Sequence, residues 1–146
     1  MASKAAIVLI PGSFSLASMY YPIQDLLTAA GHDVYVNNLP SASRNAPEAP
    51  ASLSDDATFI GTIIEKIADQ EKDIIVLGHS YGGAVASELT KGLSKIERLA
   101  KGQRSGIVRI VFLSAIVLQE GQSIFGDQGK PPAEIVEIDE VNLHQS

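Results

Sequence analysis

Short apolar runs alternate along the chain with longer stretches whose apolar residues recur every three or four positions, the pattern of parallel strands joined by helical crossovers. The run Ala5 to Ile10 predicts a first strand. After the loop Pro11 to Ala17, Ser18 can cap a helix reaching about Ala30, with Ile23, Leu26, Leu27 and Ala30 on one face and Gly31 as its stop. Val34 to Val36 makes a second strand. Between Leu39 and Ser54, Pro40, Pro47 and Pro50 stand among small residues and predict an irregular loop over the sheet edge, suited to shaping a cleft. Ser52 or Ser54 then caps a helix with Asp55 and Asp56 in its first turn, where carboxylates meet the positive end of the dipole. Ile60, Ile63, Ile64 and Ile67 recur along it as a core stripe. A third strand spans Asp73 to Leu77, a helix follows to about Ile96 or Leu99, and Ile107 to Leu113 makes a fourth strand. These elements specify an α/β fold of three α/β/α layers around a mainly parallel sheet of about four strands.

At 146 residues the chain fits one domain, with an α/β core over residues 1–125. Residues 126–146 read as an acidic, irregular tail: Gln128-Gly129-Lys130-Pro131-Pro132 is followed by Glu134, Glu137, Asp139 and Glu140, which offer little to bury. A net charge of -6 argues against nucleic acid or an anionic membrane as partner. Lys91, Lys95, Arg98, Lys101 and Arg104 cluster near a helix end and are expected to form a solvated face. The absence of cysteine excludes disulfides, thiolate catalysis and the usual structural zinc sites. No metal or organic cofactor is implied. The apolar segment Ala5 to Ile10 is too short for a secretory signal, and Ile107 to Leu118, interrupted by Arg109, is too short to span a bilayer. A cytoplasmic location with no membrane segment is the expectation.

The chemistry concentrates at Gly78-His79-Ser80-Tyr81-Gly82, which directly follows Ile74-Ile75-Val76-Leu77 and opens a helix beginning Gly83-Ala84-Val85-Ala86. A serine held between strand and helix on a tight turn is the context of a nucleophile elbow, and Gly78 and Gly82 remove Cβ atoms that would collide there. Acyl transfer develops an oxyanion, which fixed backbone N–H groups stabilise without reorienting. The Tyr81 N–H at the helix start is one such donor. The second comes from the loop after the first strand, where Gly12 permits close approach and Ser13 or Phe14 presents an N–H.

The chain resembles the N-terminal half of an α/β-hydrolase of the small-esterase and hydroxynitrile-lyase-like branch. Ile7-Val8-Leu9-Ile10-Pro11-Gly12-Ser13 is similar to that family's first strand and oxyanion loop, with Pro11 where many members carry histidine. Gly78-His79-Ser80-Tyr81-Gly82-Gly83 resembles its elbow. Val111-Phe112-Leu113-Ser114-Ala115 and Gly121-Gln122-Ser123 resemble the strand after the elbow and the approach to its cap region, with Ser114 replacing a frequent aspartate.

The resemblance implies carboxylic ester or similar acyl hydrolysis by Ser80, with Ser13 and Tyr81 amides in the oxyanion hole. A serine hydroxyl needs a base, oriented in turn by an acid, and the family's order places both after the serine. His144 is the one later histidine, with Asp127, Asp139 or Glu140 as acids. His79 is expected to pack the turn and His32 to sit at a surface turn by the sheet's non-catalytic edge. A triad this incomplete leaves a second class open: a non-catalytic protein that binds a small molecule or a partner. Hydroxynitrile-lyase-like chemistry ranks below both. The fourth strand, Ile107 to Leu113, is expected to be an exposed apolar edge that pairs with a second copy or another chain. A truncated gene product, a fragment of a longer enzyme and a half-fold completed by another chain all fit that expectation.

Overall fold

The computed structural model describes residues 4–124. The acidic segment 126–146 lies outside them, and with it Asp127, Asp139, Glu140 and His144. Four parallel strands form one sheet: β1 (Ala6–Ile10), β2 (Val34–Val36), β3 (Ile74–His79) and β4 (Ile107–Leu113), in the order β2-β1-β3-β4. β1 is buried at all five positions, as expected of an uninterrupted apolar run at the centre of a parallel sheet covered on both sides.

From β1 the chain steps one way to β2 and then back past β1 to β3. Right-handed crossovers therefore put helix α1 (Tyr21–Ala29) on one face of the sheet. Helix α3 (Leu53–Ala68), reached from β2 through the short α2 (Pro40–Ser43), and helix α4 (Tyr81–Leu89), which follows β3, take the other. The resulting switch point lies between the C-terminal ends of β1 and β3, where open α/β sheets place their ligand crevice.

The main core lies between the sheet and α3 and α4. Val8, Ile10, Ile74 and Val76 meet Ile60, Ile64 and Ile67 of α3 and Val85, Ala86 and Leu89 of α4. α3 starts as its sequence requires: Ser52 Oγ accepts from the Asp55 N–H and the Asp55 carboxylate accepts from the Ser52 N–H, a complete capping box. Those bonds hold the Asp55 carboxyl below its ordinary pKa.

Several expectations are corrected. Ser18 caps nothing: it lies inside a 3-10 turn, Ala17–Tyr20, and α1 starts at Tyr21 because Pro22 fits only the first turn of a helix. Leu26, assigned to the apolar face of that helix, is exposed. The proline-rich segment is not wholly irregular, since Pro40 opens α2. The helix after Ser80 is two helices: α4 ends at Leu89, Gly92 adopts a positive φ of 80°, and Ser94 caps a separate α5 (Lys95–Ala100). Arg98 is not on a solvated face. It is 4% exposed, with Nε donating to the Ser105 carbonyl at 2.6 Å and a terminal nitrogen pairing with Asp69 at 2.7 Å.

β4 occupies one edge of the sheet, and of its residues only Ile107 is buried; Val108, Val111, Phe112 and Leu113 are exposed. No helix among the described residues is long and apolar enough to cross a membrane.

Candidate active site

β3 delivers Gly78 and His79 to the C-terminal edge of the sheet, and α4 begins at Tyr81, so Ser80 is the single residue of the turn. Its backbone sits at φ 53°, ψ −120°, a region a side-chain-bearing residue rarely adopts unless its surroundings impose it. The surroundings are tight. The Ser80 N–H donates to the Leu113 carbonyl at 3.3 Å, and the Ser80 carbonyl accepts from the Gly83 and Ile116 N–H groups at 3.0 Å each. The Ser80 hydroxyl makes no capping bond to α4.

Three glycines make this turn physically permissible. A Cβ on Gly82 would lie 2.2 Å from the Ile10 carbonyl oxygen, one on Gly78 would lie 2.7 Å from the Gly82 carbonyl oxygen, and one on Gly83 would lie 2.4 Å from that of Ile116. Each distance is far inside van der Waals contact with backbone that has nowhere to move. Sequence reading singled out Gly78 and Gly82 as spacers, and the third, Gly83, holds the chain after β4 against the start of α4.

The loop after β1 closes on the same point. A Cβ on Gly12 would stand 3.2 Å from Ser80 Cβ. The Gly12 N–H is already used: it donates to Tyr20 Oη at 2.8 Å, and the same hydroxyl lies 2.8 Å from His79 Nδ1. The rings of Tyr20 and His79 meet edge to face, 5.7 Å between centroids. Of the loop residues considered from the sequence, Ser13 and Phe14 follow Gly12 and are exposed, Phe14 at a positive φ of 58°.

Tyr81 lies on the other side of the turn. Its N–H belongs to the first turn of α4, where helical N–H groups lack intrahelical partners. Its hydroxyl donates to Asp56 Oδ2 at 2.8 Å. The fully buried Asp56 carboxylate also accepts from Ser41 Oγ at 2.5 Å and from the Ser41 N–H at 2.9 Å. Burial, then the hydrogen bond to this carboxylate, raises the Tyr81 phenol above its ordinary pKa. α2, α3 and the first residue of α4 are thus fastened at one buried anion.

Sequence reading placed Asp56 only as a first-turn carboxylate. Its spacing of four and eight residues from Ile60 and Ile64 puts it on the buried stripe, and that was the available sign. Tyr20 carried no such sign, because its partners lie 8 and 59 residues away.

The two described histidines are engaged elsewhere. His79 is held by Tyr20, and His32 Nδ1 lies 2.8 Å from the Ala5 carbonyl, beside the N-terminal end of β1 and away from Ser80. Among the described residues no group of three or more potential metal ligands gathers.

Residues 7–141 match the model of the alpha/beta hydrolase family. An alpha/beta hydrolase from Aspergillus novofumigatus is 29% identical over 133 residues, 90% of this chain and 52% of that protein. A probable hydrolase from a Phoma species is 29% identical over 143 residues, 97% of this chain and 55% of that one. The chain therefore spans about half the length of the curated relatives it matches. Among solved structures, an extracellular alpha/beta-hydrolase from a Paenibacillus species superposes with a TM-score of 0.60 at 27% identity, covering 82% of this chain and 44% of that one. Tomato methylketone synthase I, solved with 2-tridecanone, superposes with a TM-score of 0.61 at 24% identity over 80% of this chain and 42% of its own, a likeness of fold. With its family's model matched across nearly its whole length, and with the parallel sheet and strand-turn-helix described above, this chain belongs to the alpha/beta hydrolase family.

Proposed function

We propose that the protein acts as a serine hydrolase on carboxylic esters or similar acyl compounds, with Ser80 as nucleophile and the N–H groups of Tyr81 and Ser13 as oxyanion donors. One observation carries this reading above the rest: the Ser80 backbone at φ 53°, ψ −120°, in a one-residue turn at the switch point between β1 and β3. A conformation this costly, surrounded by three glycines that only close backbone contact requires, is difficult to account for as an ordinary loop.

In the reaction, Ser80 Oγ attacks the acyl carbon while a base takes its proton, and the carbonyl oxygen becomes an oxyanion. The Tyr81 N–H favours that charge doubly, as an orphan donor and at the positive end of α4. Collapse expels the alcohol, which takes a proton from the protonated base, and water then releases the acid from the acyl-serine by the same two half-steps. Both described histidines bond to other groups, and His144, outside the described residues, is this chain's own candidate for the base.

The engagement of His32 and His79 by other groups favours a second reading, a binding protein that performs no turnover. A fluorophosphonate probe separates the two. The folded wild type is expected to be labelled stoichiometrically and Ser80→Ala not at all; absence of labelling in both proteins would reject the nucleophile and leave the binding reading.

A further inference from the structure

The loop after β1 contains two residues whose backbone geometry matters for the proposed chemistry and whose side chains do not explain where they sit. Ser13 and Phe14 are exposed, Phe14 92% so, and little packing holds this stretch. Its position relative to Ser80 must be set by its ends. The far end is tied where the Ala17 N–H donates to Asn38 Oδ1 at 2.7 Å. The near end is tied at Gly12, whose N–H donates to Tyr20 Oη at 2.8 Å.

A phenol has one proton to give and two lone pairs. Tyr20 Oη accepts from Gly12, and its own proton has His79 Nδ1 at 2.8 Å. If His79 carried its proton on Nδ1, Tyr20 would accept twice and its own proton would be left without this partner. The neutral imidazole with the proton on Nε2 satisfies all three groups. His79 immediately precedes Ser80, so one hydroxyl links the oxyanion loop to the nucleophile's own turn. It also consumes the Gly12 N–H, which leaves the next amides along the loop as the donors free to meet substrate.

We propose that Tyr20 is a positioning residue for the Ser80 reaction, its hydroxyl locking the Gly12 peptide to His79 and thereby fixing the Ser13 N–H as the second oxyanion donor. The inference rests on the assignment of Ser80 as nucleophile. It predicts that Tyr20→Phe, which keeps the ring and its edge contact with His79 but loses the hydroxyl, is labelled by a fluorophosphonate with a maximal rate about 10- to 100-fold lower at unchanged half-saturating probe concentration, because a transition-state donor is misplaced while ground-state binding survives.

Two measurements accompany it. The Gly12 amide should exchange with solvent at least about tenfold faster in Tyr20→Phe than in the wild type, with β1 amides unchanged. In the wild type itself, 15N shifts of the His79 ring should show the proton on Nε2, a readout that does not depend on the variant folding. A wild-type labelling rate in folded Tyr20→Phe, or a His79 proton on Nδ1, overturns the anchor. Absence of labelling in the wild type overturns instead the nucleophile on which it rests, and the ring tautomer and Gly12 exchange report on the anchor separately.

Discussion

Replacing Ser80 by alanine is expected to lower ester hydrolysis by at least about a thousandfold, measured as kcat on an activated ester such as a p-nitrophenyl acyl ester, with the thermal midpoint nearly unchanged. The size follows from what is lost. On the proposed mechanism no acyl-serine forms without the hydroxyl, and the proposed donors, the amides of Tyr81 and Ser13, can assist only the far slower direct attack of water. The stability should hardly move, because Ser80 Oγ does not cap α4 and the turn's bonds to Leu113, Gly83 and Ile116 are all made by its backbone. Smaller loss of turnover, within about tenfold, would mean that the hydroxyl is not the attacking group.

The second large effect concerns the fold. Gly82→Ala is expected to destabilise the protein by at least about 3 kcal/mol, at or beyond the upper end of ordinary overpacking. Its new methyl would stand 2.2 Å from the Ile10 carbonyl oxygen, and both partners are backbone: one in the first turn of α4, the other at the end of the central strand β1. Nothing there is a flexible side chain that could swing aside. Differential scanning calorimetry should show a midpoint lower by about 10 °C or more, or no cooperative transition. Gly61→Ala is the internal contrast. It lies within α3, where its Cβ would meet only Leu93 Cδ1 at an ordinary 3.6 Å, and the gain in helix propensity should leave the midpoint unchanged or slightly raised. Equal, small effects in both variants would show that the turn yields easily and that its glycines are not required.

The two expectations rest on features of unequal legibility. The strands were readable to within one or two residues, because buried parallel strands leave unbroken apolar runs such as Ile74 to Leu77, and Ile107 to Leu113 matched residue for residue. The turn at Ser80 was readable because its constraint is local: strand, glycine, serine and glycine stand together in five residues. The start of α3 was readable to within two residues, with Ser52 and Ser54 both eligible as cap, and the reciprocal bonds of Ser52 and Asp55 select Ser52.

What escaped is nonlocal. Asp56 faces Ser41 and Tyr81 across 15 and 25 residues, and Tyr20 reaches His79 across 59. A carboxylate in a helix's first turn is adequately explained by the dipole, so nothing in the local pattern asks for a buried partner. Arg98 escaped for a related reason: four neighbouring cations suggested solvent, whereas its fork is drawn inward by the Ser105 carbonyl and Asp69. The break between α4 and α5 was obscured by continuous apolar spacing through Leu89, Leu93 and Ile96, although Gly92 and the Ser94 cap mark it in hindsight.

The most direct test of the central claim is a crystal structure of the protein after reaction with a fluorophosphonate. The account predicts a phosphorus atom bonded to Ser80 Oγ and a phosphoryl oxygen about 2.7–3.1 Å from the backbone nitrogens of Tyr81 and Ser13. An adduct on another residue, or a phosphoryl oxygen turned away from both amides, would contradict it.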